Sequence, residues 1–88
     1  MVLNIKDFGE ILMSRPAGKE AFSMAKAYII GTPAKDETIS LDFKDVKVLA
    51  PSWADEFITN LKSNFSNPIV CLNTDNESVS QSLKFVNL

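Results

Sequence analysis

The chain has 88 residues, 45% of them apolar and 23% charged, with a net charge of −2 and an isoelectric point near 4.9. That size suits one modest-cored domain over residues 1–88, which buries only about 60–65% of the surface its unfolded form exposes. The acidic balance argues against a nucleic-acid binder, which needs a basic footprint, and a single cysteine, Cys71, rules out an internal disulfide.

Charge is uneven along the chain. Residues 1–35 hold five basic and three acidic groups (+2), and residues 36–88 hold four basic and eight acidic groups (−4). The lone thiol fits a reducing compartment. The N-terminus carries no basic segment followed by a long apolar run, so no signal peptide is expected. No apolar run approaches membrane-spanning length. Together these features predict a cytoplasmic protein without a membrane segment.

Val2, Leu3 and Ile5 predict a first strand, and Lys6-Asp7-Phe8-Gly9 a turn. Glu10 to Met13 reads as a second short strand closing a hairpin, or as a helical turn, since four residues do not separate the two periods. After Ser14-Arg15-Pro16, apolar groups at Ala17, Ala21, Met24, Ala25, Tyr28 and Ile29 recur at helical spacing and predict the core face of a first helix. Gly31-Thr32-Pro33 ends it. Ile39, Leu41 and Phe43 alternate with polar residues, as in a strand with one face buried. Lys44-Asp45 is a bend, after which Val46, Val48 and Leu49 bring apolar chain back to the core.

A second helix opens at Ser52, with Trp53, Ala54, Phe57, Ile58, Leu61 and Phe65 on its apolar face. Ser52 is placed to cap it, and Asp55, three residues on, to answer back as in a capping box. Ile69 to Leu72 is continuously apolar and predicts a central strand covered on both faces. Asn73 to Asn76 forms a turn, with Asp75 or Asn76 as the cap of a last helix carrying Val79, Leu83 and Val86. Strands alternating with helices predict an α/β fold, with three to four strands in a small, partly parallel, mixed sheet and about three helices.

Three pieces of the chain resemble the STAS-like family of small domains of unknown function, relatives of the sulfate transporter and anti-sigma factor antagonist domain. They are Ile5-Lys6-Asp7-Phe8 with Ser14-Arg15; Ala17-Gly18-Lys19-Glu20-Ala21-Phe22; and Leu41-Asp42-Phe43-Lys44-Asp45-Val46 followed by Pro51-Ser52-Trp53-Ala54-Asp55-Glu56-Phe57. The third is the most specific, since spacing and residue types agree together. Over roughly residues 3–86 the resemblance implies a STAS-like fold and a non-enzymatic, regulatory role in protein–protein interaction, in a bacterial or phage cytoplasm. It also implies a histidine-kinase-like ATPase as partner, and phosphorylation at Ser52, the position matching the serine modified in anti-sigma factor antagonists. Trp53-Ala54 departs from the small residue those proteins carry just after it. Ala17 stands where a serine is common.

The residues themselves allow plainer readings. Ser52 is either a phosphoacceptor at a helix start that favours anions or a structural cap. That same helix start suits an alternative function, binding of a nucleotide or other small anion. Asp55 and Glu56 are adjacent on a helix and point about 100° apart, which predicts that they do not converge on one substrate atom for acid–base chemistry. They are partner-contact candidates that also suit the positive end of the helix dipole. Trp53 is a partner anchor or a core residue. Arg15 is an exposed cation suited to an acidic partner group or to a solvated loop. Asp42 reads as a strand-end residue bonding nearby backbone. Cys71 reads as a buried small hydrophobe. With no histidine, and no nucleophile–base pair in view, no cofactor, metal site or catalytic set is expected.

Overall fold

The computed structural model describes residues 1–88, the side chain of Ile30 excepted. Five strands, β1 (Val2–Asn4), β2 (Ile11–Leu12), β3 (Ile39–Asp42), β4 (Val48–Leu49) and β5 (Ile69–Leu72), are threaded with three α-helices, α1 (Arg15–Met24), α2 (Pro51–Asn64) and α3 (Glu77–Phe85). The α/β class and the three helices are as the sequence predicts. The strands, however, form two separate sheets, β1-β3-β5 and β2-β4, in which every pairing is parallel. The expected hairpin is absent. A 3-10 turn at Ile5–Phe8, anchored by the fully buried Ile5, carries the chain away from β1, and β2 pairs instead with β4, an element the sequence reading did not assign as a strand.

Periodicity explains the main sheet. In β3, Ile39 and Leu41 face inward, completely buried, while Ser40 and Asp42 face outward. Parallel register continues that alternation across the sheet: Leu3, Leu41 and Cys71 form an inner row, and Val2, Ser40 and Val70 an outer one. The chain steps from β1 to β3 to β5 in one direction. Right-handed crossovers then put α1 and α2 on the same face. The opposite face stays open, with Val2, Val70 and Leu72 exposed. β5 is therefore an edge strand with one open face, which corrects the expectation of a central strand covered on both. A short apolar run does not by itself distinguish the two, because the same four side chains serve a half-buried edge.

The core gathers on α2. Phe57 stacks on Trp53 (centroids 5.0 Å apart), meets Phe22 of α1 edge-on at 5.8 Å and Phe8 at 5.7 Å. The buried stripe of α1 is Gly18, Ala21, Phe22 and Ala25. Of the face predicted from spacing, only Ala21 and Ala25 are buried; Ala17, Met24, Tyr28 and Ile29 are exposed. Gly18 decides the rotation. A β-carbon there would lie 2.6 Å from the carbonyl oxygen of Trp53, so α1 and α2 approach backbone to backbone only along the Gly18 side. Beyond Met24 the helix widens into a π-helical segment, Ala25–Ile30, and stops at Gly31 with φ of 58°.

Candidate functional site

Two strand-to-helix turns lie side by side. β2 leads through Met13 and Ser14 into α1, and β4 leads through Ala50 into α2; the Ala50 amide donates to the Leu12 carbonyl (2.8 Å) and ties the two turns together. Ser14 caps α1, its Oγ accepting from the Ala17 amide at 3.3 Å, and holds the left-handed backbone (φ 76°) that the sharp turn demands. The start of α2 differs from expectation. Its cap is Ala50, in extended conformation, and Pro51 is the first helical residue. Proline suits that position, since its φ is already helical and no amide hydrogen is needed. Ser52 thus falls one position inside the helix, half-buried, and its hydroxyl makes no capping bond. The Ser52–Asp55 capping box does not form. The signal was Pro51 itself, which places the cap one residue before it.

Asp55 and Glu56 turn instead to Arg15. Its Nη1 donates to Asp55 Oδ2 at 2.7 Å and to Glu56 Oε2 at 3.3 Å. The two carboxylates share one guanidinium nitrogen because Arg15 reaches across from the first turn of α1 and lies between them. Asp55 Oδ1 also accepts from the Thr59 hydroxyl at 3.2 Å. The Arg15 guanidinium, then Thr59, hold the Asp55 carboxyl below its ordinary value, and the bonds to Asp55 and then Glu56 raise Arg15. The site is thus a small ion triad beside a serine whose hydroxyl is not spent on capping. Trp53 is only 3% exposed and stacked on Phe57 in the core, so its indole is not a projecting anchor.

A second concavity, of about 710 Å³, lies where the carboxyl ends of β1, β3 and β5 open, the place where open α/β sheets hold ligands. Its lining mixes signs, with Lys6, Lys44 and Lys47 beside Glu10, Asp45 and Asp75. Lys47 pairs with Glu10 at 3.5 Å, and Lys6 with Glu10 and Asp45 at 4.0 Å each. Asp42, at its edge, accepts from Asn73 Nδ2 (2.8 Å) and the Lys44 amide (2.9 Å), the backbone role foreseen for it, and both bonds lower its pKa. Cys71 is half-buried on the inner row of β5, where burial pushes its thiol up.

The sequence reading missed two features. Ser78 and Ser82 of α3 clamp β4: the Leu49 amide donates to Ser78 Oγ at 3.0 Å, and the Leu49 carbonyl accepts from the buried Ser82 hydroxyl. Asn67 closes the loop before β3, donating to the carbonyls of Ala34 and Glu37 at 2.8 and 2.9 Å. Helical spacing in α3 put Ser78 and Ser82 four apart, but nothing in sequence named Leu49 as their partner. Among the described residues, no group of three or more His, Cys, Asp or Glu side chains could hold a metal ion, and no helix is long and apolar enough to cross a membrane.

Comparison with known proteins rests on one match. Neither the curated proteins nor the solved structures yielded any similar chain. A protein-family model described as a STAS-like domain of unknown function matches residues 28–88, well over half of the sequence. The match takes in β3, β4 and its turn into α2, α2, β5 and α3; it does not extend to residues 1–27, where two of the three resembling pieces lie. With the three-helix α/β architecture and the β4–α2 turn now placed, the chain belongs to the family of STAS-like domains of unknown function.

Proposed function

We propose that the protein is a non-enzymatic, regulatory interaction domain that meets its protein partner at the start of α2. The observation that carries the reading is the state of Ser52. It stands half-buried in the first turn of α2, and Ala50, not Ser52, occupies the cap position, which leaves the hydroxyl for chemistry. A phosphate added there would bring about −1.5 to −2 charges to the positive end of a helix. Asp55 and Glu56 would oppose it, but Arg15 sits on both and offsets part of their charge. The addition of a phosphoryl group would therefore re-divide Arg15 between three acidic partners and change the face presented to a second protein.

The partner implied by the family likeness is a histidine-kinase-like ATPase, acting as both kinase and binding target in a bacterial or phage cytoplasm. Incubation with such an ATPase and ATP is expected to add one phosphate to the wild type and none to Ser52→Ala. Ser52→Asp is expected to weaken binding, and Ser52→Ala to retain it. An unchanged mass, with equal binding by all three proteins, would remove the switch.

A second reading has one observation in its favour. The first turn of α2 has no side-chain cap, so its amides are open to a small anion such as a nucleotide phosphate. A thermal-shift series with nucleotides and inorganic phosphate separates this from protein binding; a flat response counts against it.

A further inference from the structure

The side of α1 that the sequence marks as apolar, yet the fold leaves in solvent, lines a groove of about 280 Å³ between α1 and β2. Trp53 and Phe8 form its floor. Its walls are Ile11, Met13 and Met24, which are 63%, 57% and 50% exposed. Ala17 lines the groove two turns before Met24, and Tyr28, 86% exposed, continues the line one turn beyond it. Val48, register partner of Ile11, extends it across the small sheet. α1 thus carries two apolar stripes. One, with Gly18 and Phe22, packs on α2; the other, Ala17 and Met24, continued by Tyr28 of the π-helical segment, is left exposed.

Charge specifies what would cover it. The groove is lined by two carboxylates, Asp7 and Glu20, and by no lysine or arginine. Neither carboxylate has an ion-pair partner among the described residues, unlike Glu10, Asp55 and Glu56. We propose that this groove docks a basic amphipathic helical segment of a partner protein, with apolar side chains over Trp53 and Met24 and lysine or arginine beside Asp7 and Glu20. Flexible methionine walls suit such an occupant, because they repack around differing anchors. A second copy fits poorly. Two-fold pairing of this face would bring two acidic grooves together with no lysine or arginine of either lining to offset them. An anionic lipid surface or nucleic acid meets the same repulsion.

The inference shares with the proposed function only the premise of protein binding, and stands on a different surface from Ser52. Trp53 is the only tryptophan and reports from the groove floor. The probe is a synthetic leucine–lysine peptide of about 14 residues, roughly four helical turns with leucines along one face, paired with a leucine–glutamate counterpart. Titration of the leucine–lysine peptide is expected to shift Trp53 emission saturably, and added salt to weaken the binding. Met24→Lys and Glu20→Lys, both at exposed helical positions and checked for an unchanged melt, are expected to lose about tenfold in affinity or more. Ser52→Ala is expected to titrate like the wild type. Three results would overturn the proposal: no response, equal affinity in both groove variants, or an equal response to the leucine–glutamate peptide. A concentration-dependent dimer of the chain that Met24→Lys abolishes would also overturn it, by giving the face to a second copy.

Discussion

Arg15 binds two carboxylates some forty residues away through a single nitrogen, and this contact joins the start of α1 to the start of α2. Asp55 is held below its ordinary 3.8 by that pairing, so its contribution to stability is present above the unfolded value and is lost as pH falls through the folded one. Glu37, bonded to the terminal ammonium and the Ala34 amide, and Asp42 carry the same sign. Urea-unfolding midpoints measured from neutral pH downward are therefore expected to drop once pH passes below about 4. Asp55→Asn is expected to flatten that acid limb in part, and Arg15→Ala to flatten it less, since Thr59 still bonds the carboxylate; an acid limb unchanged in both would show that the pair contributes nothing. The exposure of Arg15 makes the effect salt-sensitive. This contact was not legible in sequence. Angles around one helix say where side chains leave the backbone, whereas convergence depended on a third residue reaching in from another helix. Ser52 was legible as a helix-start serine but not as the cap, which lies two positions earlier at Ala50 because Pro51 is the first helical residue.

Helices α1 and α2 run parallel, locked where Gly18 meets the Trp53 backbone. Alanine would ordinarily favour a helix by about 1 kcal/mol over glycine. Gly18→Ala is nonetheless expected to destabilise the protein by about 1–3 kcal/mol, because the added carbon meets backbone that cannot swing aside. A raised urea midpoint would contradict the close packing. In α3, Ser82→Ala is expected to cost about 1 kcal/mol by removing a buried donor to the Leu49 carbonyl. A midpoint equal to the wild type would mean that Ser78, also within reach of that carbonyl at 3.4 Å, takes over. Elements with a long, clean period were legible: β3 by its alternation, α2 by its stripe from Trp53 to Leu61, and the Asn76 cap of α3, which accepts from the Val79 amide. The rotation of α1 was not. Spacing counted Met24 and Tyr28 as core and passed over Gly18, whose value lies in having no side chain. The two-residue strands β2 and β4 lie below the length at which any period shows, so their parallel pairing is a property of the tertiary fold.

At the scale of the whole molecule, right-handed crossovers gather the helices on one face of a three-stranded parallel sheet, and the two strand-to-helix turns meet at one end of α1 and α2. That arrangement places Ser52 and the Arg15 triad around the same pair of helix starts. The family likeness was legible because the Pro51–Phe57 piece is contiguous, while the first third of the chain lies outside the family match. Function follows from that end of the molecule if the Ser52 hydroxyl is the controlled group. The most direct measurement is intact mass and binding affinity after incubation with a histidine-kinase-like ATPase of the same genome and ATP. A single added phosphate confined to Ser52, with binding lost in the phosphorylated protein and in Ser52→Asp but kept in Ser52→Ala, is the predicted result. No added phosphate, together with identical binding of the wild type, Ser52→Ala and Ser52→Asp, would contradict it.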